Sequence, residues 1–130
     1  MFTIEQLHEA FKKVKSGADF PQFVQDLKAI GVTHYDNYVA DGLTKYFGAN
    51  NVVVNGEVKY PTMTVNNNSS ADKLKHSISI HQQGQTDYPT FCAQAADAGV
   101  DKWTTHMLEM TVTYLDKQGE KLTVEPIPQP

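Results

Sequence analysis

Five histidines and one cysteine carry most of the reactive chemistry in this chain of 130 residues. Cys92 acts as a nucleophile only if its sulfur is partly exposed, its pKa is lowered and a base stands beside it. His81 and His106 are the two imidazoles that suit that role, and the activity would be that of a small hydrolase or transferase. No HxxxH, HxH or His-carboxylate spacing marks a metal site, so the sequence gives no metal ligand set and no cofactor. A phosphate-cradling loop, a GxSxG elbow and a dinucleotide fingerprint are all missing from the string. His8, His34 and His76 read as solvated positions.

These residues are positioned by a pattern that occurs twice. Residues 3–35, TIEQLHEAFKKVKSGADFPQFVQDLKAIGVTHY, align with 70–103, SADKLKHSISIHQQGQTDYPTFCAQAADAGVDKW. Thr3 falls on Ser70, Leu7 on Leu74, Phe11 on Ile78, Val14 on His81 and Gly17 on Gly84. After one inserted residue Asp19 falls on Asp87, Phe20 on Tyr88, Pro21 on Pro89, Phe23 on Phe91, Gly31 on Gly99, Val32 on Val100 and Tyr35 on Trp103. The alignment reads Cys92 against Val24, an apolar stripe position, so the cysteine is first a small buried hydrophobe. His81 replaces Val14 on an inward face, which suits either a buried imidazole bonded to a carbonyl or a base in a cleft. His106, in phase with Leu108 and Met110, also reads as inward-facing.

Each copy reads as helix, turn, helix, strand. Thr3 and Ser70 are N-caps, with Gln6 at the capping-box position, and Ile4, Leu7, Phe11 and Val14 recur at helical spacing. Gly17 and Gly84 end the first helix of each pair. Asp19 and Asp87 read as caps of a second helix with proline in its first turn, rather than as paired catalytic carboxylates. The second stripe is Phe20, Phe23, Val24, Leu27 and Ile30, against Tyr88, Phe91, Cys92 and Ala95. Residues 77–81 alternate like a strand, but the first copy makes them helical. Strands are expected near 33–40, 43–47, 51–54 and 57–65, with hairpin signals at Asp41-Gly42 and Asn55-Gly56. In the second copy Trp103 to Leu115 alternates with a period of two, DKQGEK turns, and LTVEPIP returns until prolines stop it. Asp41, Glu109 and Glu125 read as solvent-facing.

The expectation is therefore one α+β domain over 1–130, with copies at 3–65 and 70–128 and a polar linker at 66–69, its two helical hairpins packed on one face of an antiparallel sheet. Hydrophobic residues make up 40% of the chain, enough for a core without disulfide or metal. A net charge of -4 is the wrong sign for holding phosphates by bulk electrostatics, so nucleic acid is not the expected partner. One cysteine, with no signal-length or membrane-length apolar run, points to a soluble cytoplasmic protein without a membrane role.

GQTDYPTFCAQAADAGVDKW at 84–103 and MTVTYLDKQGEKLTVEPIP at 110–128, with SGADFP, GVTHY and DGLTKYFG upstream, resemble the YbcV-like family of small uncharacterised bacterial proteins. Some members of that family are labelled phage envelope protein. The resemblance implies a phage or prophage origin and brings no catalytic residues with it. The reading that follows is a non-enzymatic binding or interaction domain whose helix-to-strand corners, at Tyr35 and Trp103, flank a cleft for a protein or small-molecule ligand. Pairing of two copies through a sheet face or edge is a further expectation. The alternative remains the Cys92 enzyme with His81 or His106.

Overall fold

A computed structural model describes residues 2–15 and 19–130, so the helix stop expected at Gly17 lies outside the described residues. Helix α1 (Ile4–Lys12) begins at a reciprocal capping box. Thr3 Oγ1 accepts the Gln6 N–H at 3.2 Å, and Gln6 Oε1 accepts the Thr3 N–H at 2.8 Å. Helix α2 (Phe20–Ala29) carries proline in its first turn, and α3 (Ala71–Gln82) covers the ambiguous 77–81 segment as helix. Helix α4 (Tyr88–Asp97) is capped by Asp87, which accepts the Thr90 N–H at 2.9 Å. Asp19 does not cap α2 in that way, because its carboxylate turns back to the Lys15 N–H at 2.9 Å. Phe11 also departs from the expected buried stripe: it is 56% exposed, with its ring edge against Phe23 at 6.0 Å, while Ala10 takes the inner position beside Leu7.

Gly31 and Gly99, both with positive φ, turn the chain from helix into strand. The strands are β1 (Val32–Tyr38), β2 (Thr44–Gly48), β3 (Val53–Asn55), β4 (Val100–His106), β5 (Thr111–Asp116) and β6 (Lys121–Pro126). They form one antiparallel sheet in the order β3-β2-β1-β4-β5-β6. The helix–helix–strand order thus occurs twice, and the two first strands meet at the centre. Asp36 and Thr104, aligned with each other in the two copies, are direct partners there. Contacts also recur at aligned places: Phe23 meets Tyr35 as Phe91 meets Trp103, and Tyr35 meets Tyr46 as Trp103 meets Tyr114.

Three strand expectations are corrected. The run from Trp103 to Leu115 is a hairpin, not one strand: β4 stops at His106 and β5 starts at Thr111, with Met110 at φ 55 in the turn and Leu108 79% exposed. Asn55-Gly56 does not turn back on itself, since the Gly56 N–H continues to the Thr44 carbonyl at 2.7 Å. The turn between β2 and β3 falls at Asn50-Asn51, with φ of 60 and 62, the paired positive values that a tight two-residue hairpin requires. Residues 57–65 form a strap without regular structure. Backbone N–H groups of Lys59 and Met63 bond to the carbonyls of Asp41 and Ala40 across the end of the β1–β2 hairpin, and Pro61 has no N–H to give a ladder.

The helices cover one face of the sheet. Tyr35, Val39, Trp103, Thr105, Met107, Val112 and Tyr114 point into the resulting core, where Val24, Leu27, Leu74, Val39 and Val100 are fully buried. Each such leucine contributes about 1.5–3 kcal/mol relative to exposure. Glu125, opposite Val112, lies half-buried at the edge of this covered side rather than on the solvent face.

Candidate functional site

The residues singled out by sequence separate into different places. Tyr35 and Trp103 are 6% and 7% exposed, in aromatic contact on both sides, so they anchor the core instead of flanking a cleft. A groove of about 480 Å³ lies elsewhere, within the second helical hairpin between Lys73 and His76 of α3 and Thr90, Gln94 and Asp97 of α4. His81 is half-buried; its Nδ1 lies 3.0 Å from the Thr86 carbonyl, and its ring stacks on Phe91 at 4.7 Å. That is an imidazole held by its own loop. His106 is on the opposite side of the sheet from Cys92: β4 turns Trp103 toward α4, so the pleat turns His106 away. The inward orientation expected for His106 is thereby corrected.

Cys92 is 1% exposed, and its surroundings were not legible in sequence. Lys59 Nζ donates to Thr44 Oγ1 at 2.7 Å, Thr44 Oγ1 donates to Asn37 Oδ1 at 2.7 Å, and Asn37 Nδ2 donates to Tyr88 Oη at 2.8 Å. The Tyr88 hydroxyl proton is then free for the sulfur, while Tyr60 gives its own to the Val39 carbonyl. Burial pushes the Cys92 thiol up from its ordinary value, against the opposing pull of Tyr88, Tyr60 and Lys59. Burial likewise lowers Lys59 and raises Tyr60 and Tyr88. Burial thus outweighs these donors and favours the thiol over the nucleophilic thiolate, and neither proposed histidine base stands beside the sulfur.

The face without helices has a different character. Adjacent strands place His34, Asp36 and Tyr38 of β1, Lys45 and Phe47 of β2, and Lys102, Thr104 and His106 of β4 on this side. Asp36 is 8% exposed without any helix above it, because Thr104 Oγ1 donates to its Oδ1 at 2.6 Å and Lys102 Nζ stands 3.4 Å from Oδ2. The ammonium groups of Lys45 and Lys102 lie 5.5 and 5.7 Å from the centre of the Tyr38 ring. His34 stacks on Phe47 at 4.4 Å with the rings 6° from parallel, and His106 follows at 6.2 Å. The result is an aromatic row at one end of the central strand pair and a lysine-flanked tyrosine at the other. His34 was missed because the residue opposite it is distant in sequence and its aligned counterpart is Lys102.

The family described as "Protein of unknown function (DUF1398)" matches residues 8–126, which run from within α1 to the end of β6 and take in the other three helices and all six strands. The chain belongs to this family. It is also similar to the uncharacterized protein YcgX of Escherichia coli (strain K12), 22% identical over 117 residues, which cover 90% of this chain and 87% of that protein. These relatives place the chain in an uncharacterised family, coarser than the YbcV-like group, and carry no phage label. No helix of the described residues is long and apolar enough to cross a membrane, and no group of three or more His, Cys, Asp or Glu among them is placed to hold a metal ion.

Proposed function

We propose that this chain is a non-enzymatic binding domain that receives an acidic, aromatic-bearing protein segment on the open face of its sheet. The observation that carries the reading is the lysine-flanked Tyr38 beside the Phe47–His34–His106 row, on the one broad face that no helix covers. Asp36 is already engaged by Thr104 and Lys102, so Lys45 leaves this face cationic in a chain whose overall charge is -4. A segment with carboxylates to meet Lys45 and Lys102 and a ring to lie against Phe47 and His34 complements it. The same local excess of one lysine is far too small for a polyphosphate backbone.

The proposal extends to the finer setting. Descent from a duplicated helix–helix–strand unit, with copies at about 3–65 and 70–128, is supported by the direct pairing of Asp36 with Thr104 and by the repeated aromatic contacts. A bacterial, phage-related origin rests on the YbcV-like motifs, and a cytoplasmic setting on the single free cysteine. The enzymatic alternative through Cys92 has less support, because its sulfur is enclosed and its hydroxyl neighbours are both tyrosines.

A displayed library of random peptides, selected against the full chain, tests the binding reading. Enriched peptides should carry Asp or Glu with an aromatic residue and lose binding to Lys45→Glu. Enrichment of basic peptides, no enrichment, or binding indifferent to Lys45→Glu refutes it. Light scattering on the free chain separates pairing of two copies, which would occupy this face with a different partner.

A further inference from the structure

We propose that His34 and His106 form a two-imidazole site for a divalent transition-metal ion on the open face, an assignment that does not depend on a protein partner docking there. The backbone supplies the first requirement. His34 and His106 are direct cross-strand partners. Ladder bonds from the Met107 N–H to the Thr33 carbonyl and from the Val39 N–H to the Asp101 carbonyl make the pairs at Thr33 and Val39 the hydrogen-bonded ones. The alternating pair His34–His106 is then of the non-hydrogen-bonded kind, in which side chains approach most closely. The ring centres are 6.2 Å apart on the same face, and 36% of the His106 side chain is exposed to solvent.

The second requirement is a lone pair on each ring, and the hydrogen bonds assign it on His34. Thr33 Oγ1 donates its single proton to the Phe47 carbonyl at 3.1 Å. At its 3.1 Å contact with His34 Nδ1 the same oxygen must therefore accept, which puts the His34 proton on Nδ1 and leaves Nε2 unprotonated. His106 Nδ1 lies 3.9 Å from a Glu109 carboxylate oxygen. His34 thus keeps Nε2 for an ion, and each imidazole has a side-chain oxygen on the side of its Nδ1. A hydroxyl or carboxylate in that place orients a ligating ring and raises its basicity. The stack of His34 on Phe47 fixes one ring further.

Metal–nitrogen bonds of about 2.0–2.1 Å place two ligating nitrogens about 3 Å apart. The proposal requires the part-exposed His106 side chain to turn until its Nε2 reaches that separation from His34 Nε2. Two protein ligands leave the remaining positions to water, and imidazole selects late first-row ions, with Cu²⁺ held most strongly. No third protein ligand stands close enough to close the site among the described residues.

The full chain is titrated with Cu²⁺ alone by calorimetry, and the complex is examined by electron paramagnetic resonance. One ion per chain with two equatorial nitrogens is expected. His34→Gln and His106→Gln should each weaken binding at least about tenfold and reduce the nitrogen count to one, while the exposed His76→Gln leaves both unchanged. A wild-type measurement needs no folded variant: Cu²⁺ should broaden the imidazole signals of His34 and His106 before those of His8, His76 and His81. The proposal is overturned if the wild type binds no more tightly than the double variant, if the two-nitrogen spectrum survives in that variant, or if broadening starts at another histidine.

Discussion

Removing the carboxylate at the centre of the sheet should cost far more than its place on a helix-free face implies. In Asp36→Ala the Thr104 hydroxyl loses a charge-assisted bond of 2.6 Å, and both it and the truncated side chain remain in a position only 8% exposed. Bonds of that kind contribute about 1.5–3 kcal/mol. The Lys102 pair, at 3.4 Å with the lysine side chain 31% exposed, adds less than about 1 kcal/mol after screening. The sum is about 1.5–4 kcal/mol, and at about 4 °C per kcal/mol for a domain of this size the melting temperature falls by roughly 6–16 °C. Asp36→Asn retains an acceptor for Thr104 and should lose about half as much. Thermal and urea unfolding of Asp36→Ala, Thr104→Val and the double variant isolate the pair, with an expected coupling of about 1–2 kcal/mol. A loss below about 0.5 kcal/mol for Asp36→Ala, or additive single losses, would mean that this pair does not tie the two halves together.

Other consequences follow from the packed side. Gly42→Ala places a methyl 2.8 Å from the Tyr60 ring at a φ of +74, so the strap over Cys92 should lift and a thiol reagent should label the folded variant faster than the wild type. Equal labelling rates would show that the strap does not guard the sulfur. Leu74→Ala, at a fully buried site, should cost about 2–5 kcal/mol in urea unfolding. The Cys92 thiol is raised in the folded chain from an ordinary 9.0, so the unfolded chain releases that proton first and stability should fall as pH rises past about 9. Tyr35, Tyr60, Tyr88 and Tyr114, also raised, deepen the decline above about 10, while Lys59, lowered by burial, opposes it up to its ordinary 10.5. Melting temperatures from pH 7 to 11 measure this, and Cys92→Ala should flatten the first part of the slope.

The helices were legible because their caps and stripes are local: Thr3 with Gln6, Asp87 with Pro89, and Val24 with Leu27 all act within a turn or two. The β4–β5 hairpin was hidden because its left-handed residue is Met110, where the aligned position of the first copy is Gly42, φ +74. Carrying the Asp41-Gly42 turn across the alignment would have found it. Asn55-Gly56 has the composition of a turn but sits where the chain goes on into the strap, and local sequence cannot record that the Gly56 N–H is already bonded to Thr44. The site was less legible than the fold. Alternation with Leu108 and Met110 turned His106 inward because it ran on through the turn between β4 and β5, and only the central register brings His34 opposite it. Lys59 and Tyr60 reach Cys92 from the strap, about thirty residues earlier in the chain, so no local spacing announces them, and only Tyr88 stands one turn away on α4.

The binding face is tested most directly by amide and side-chain chemical shifts of the labelled chain as an acidic, aromatic-bearing peptide is added. Saturable changes centred on His34, Tyr38, Lys45, Phe47, Lys102 and His106 are the predicted result. Changes confined to Lys73, His76, Thr90 and Asp97, in the groove between α3 and α4, or no saturable change at all, would contradict it.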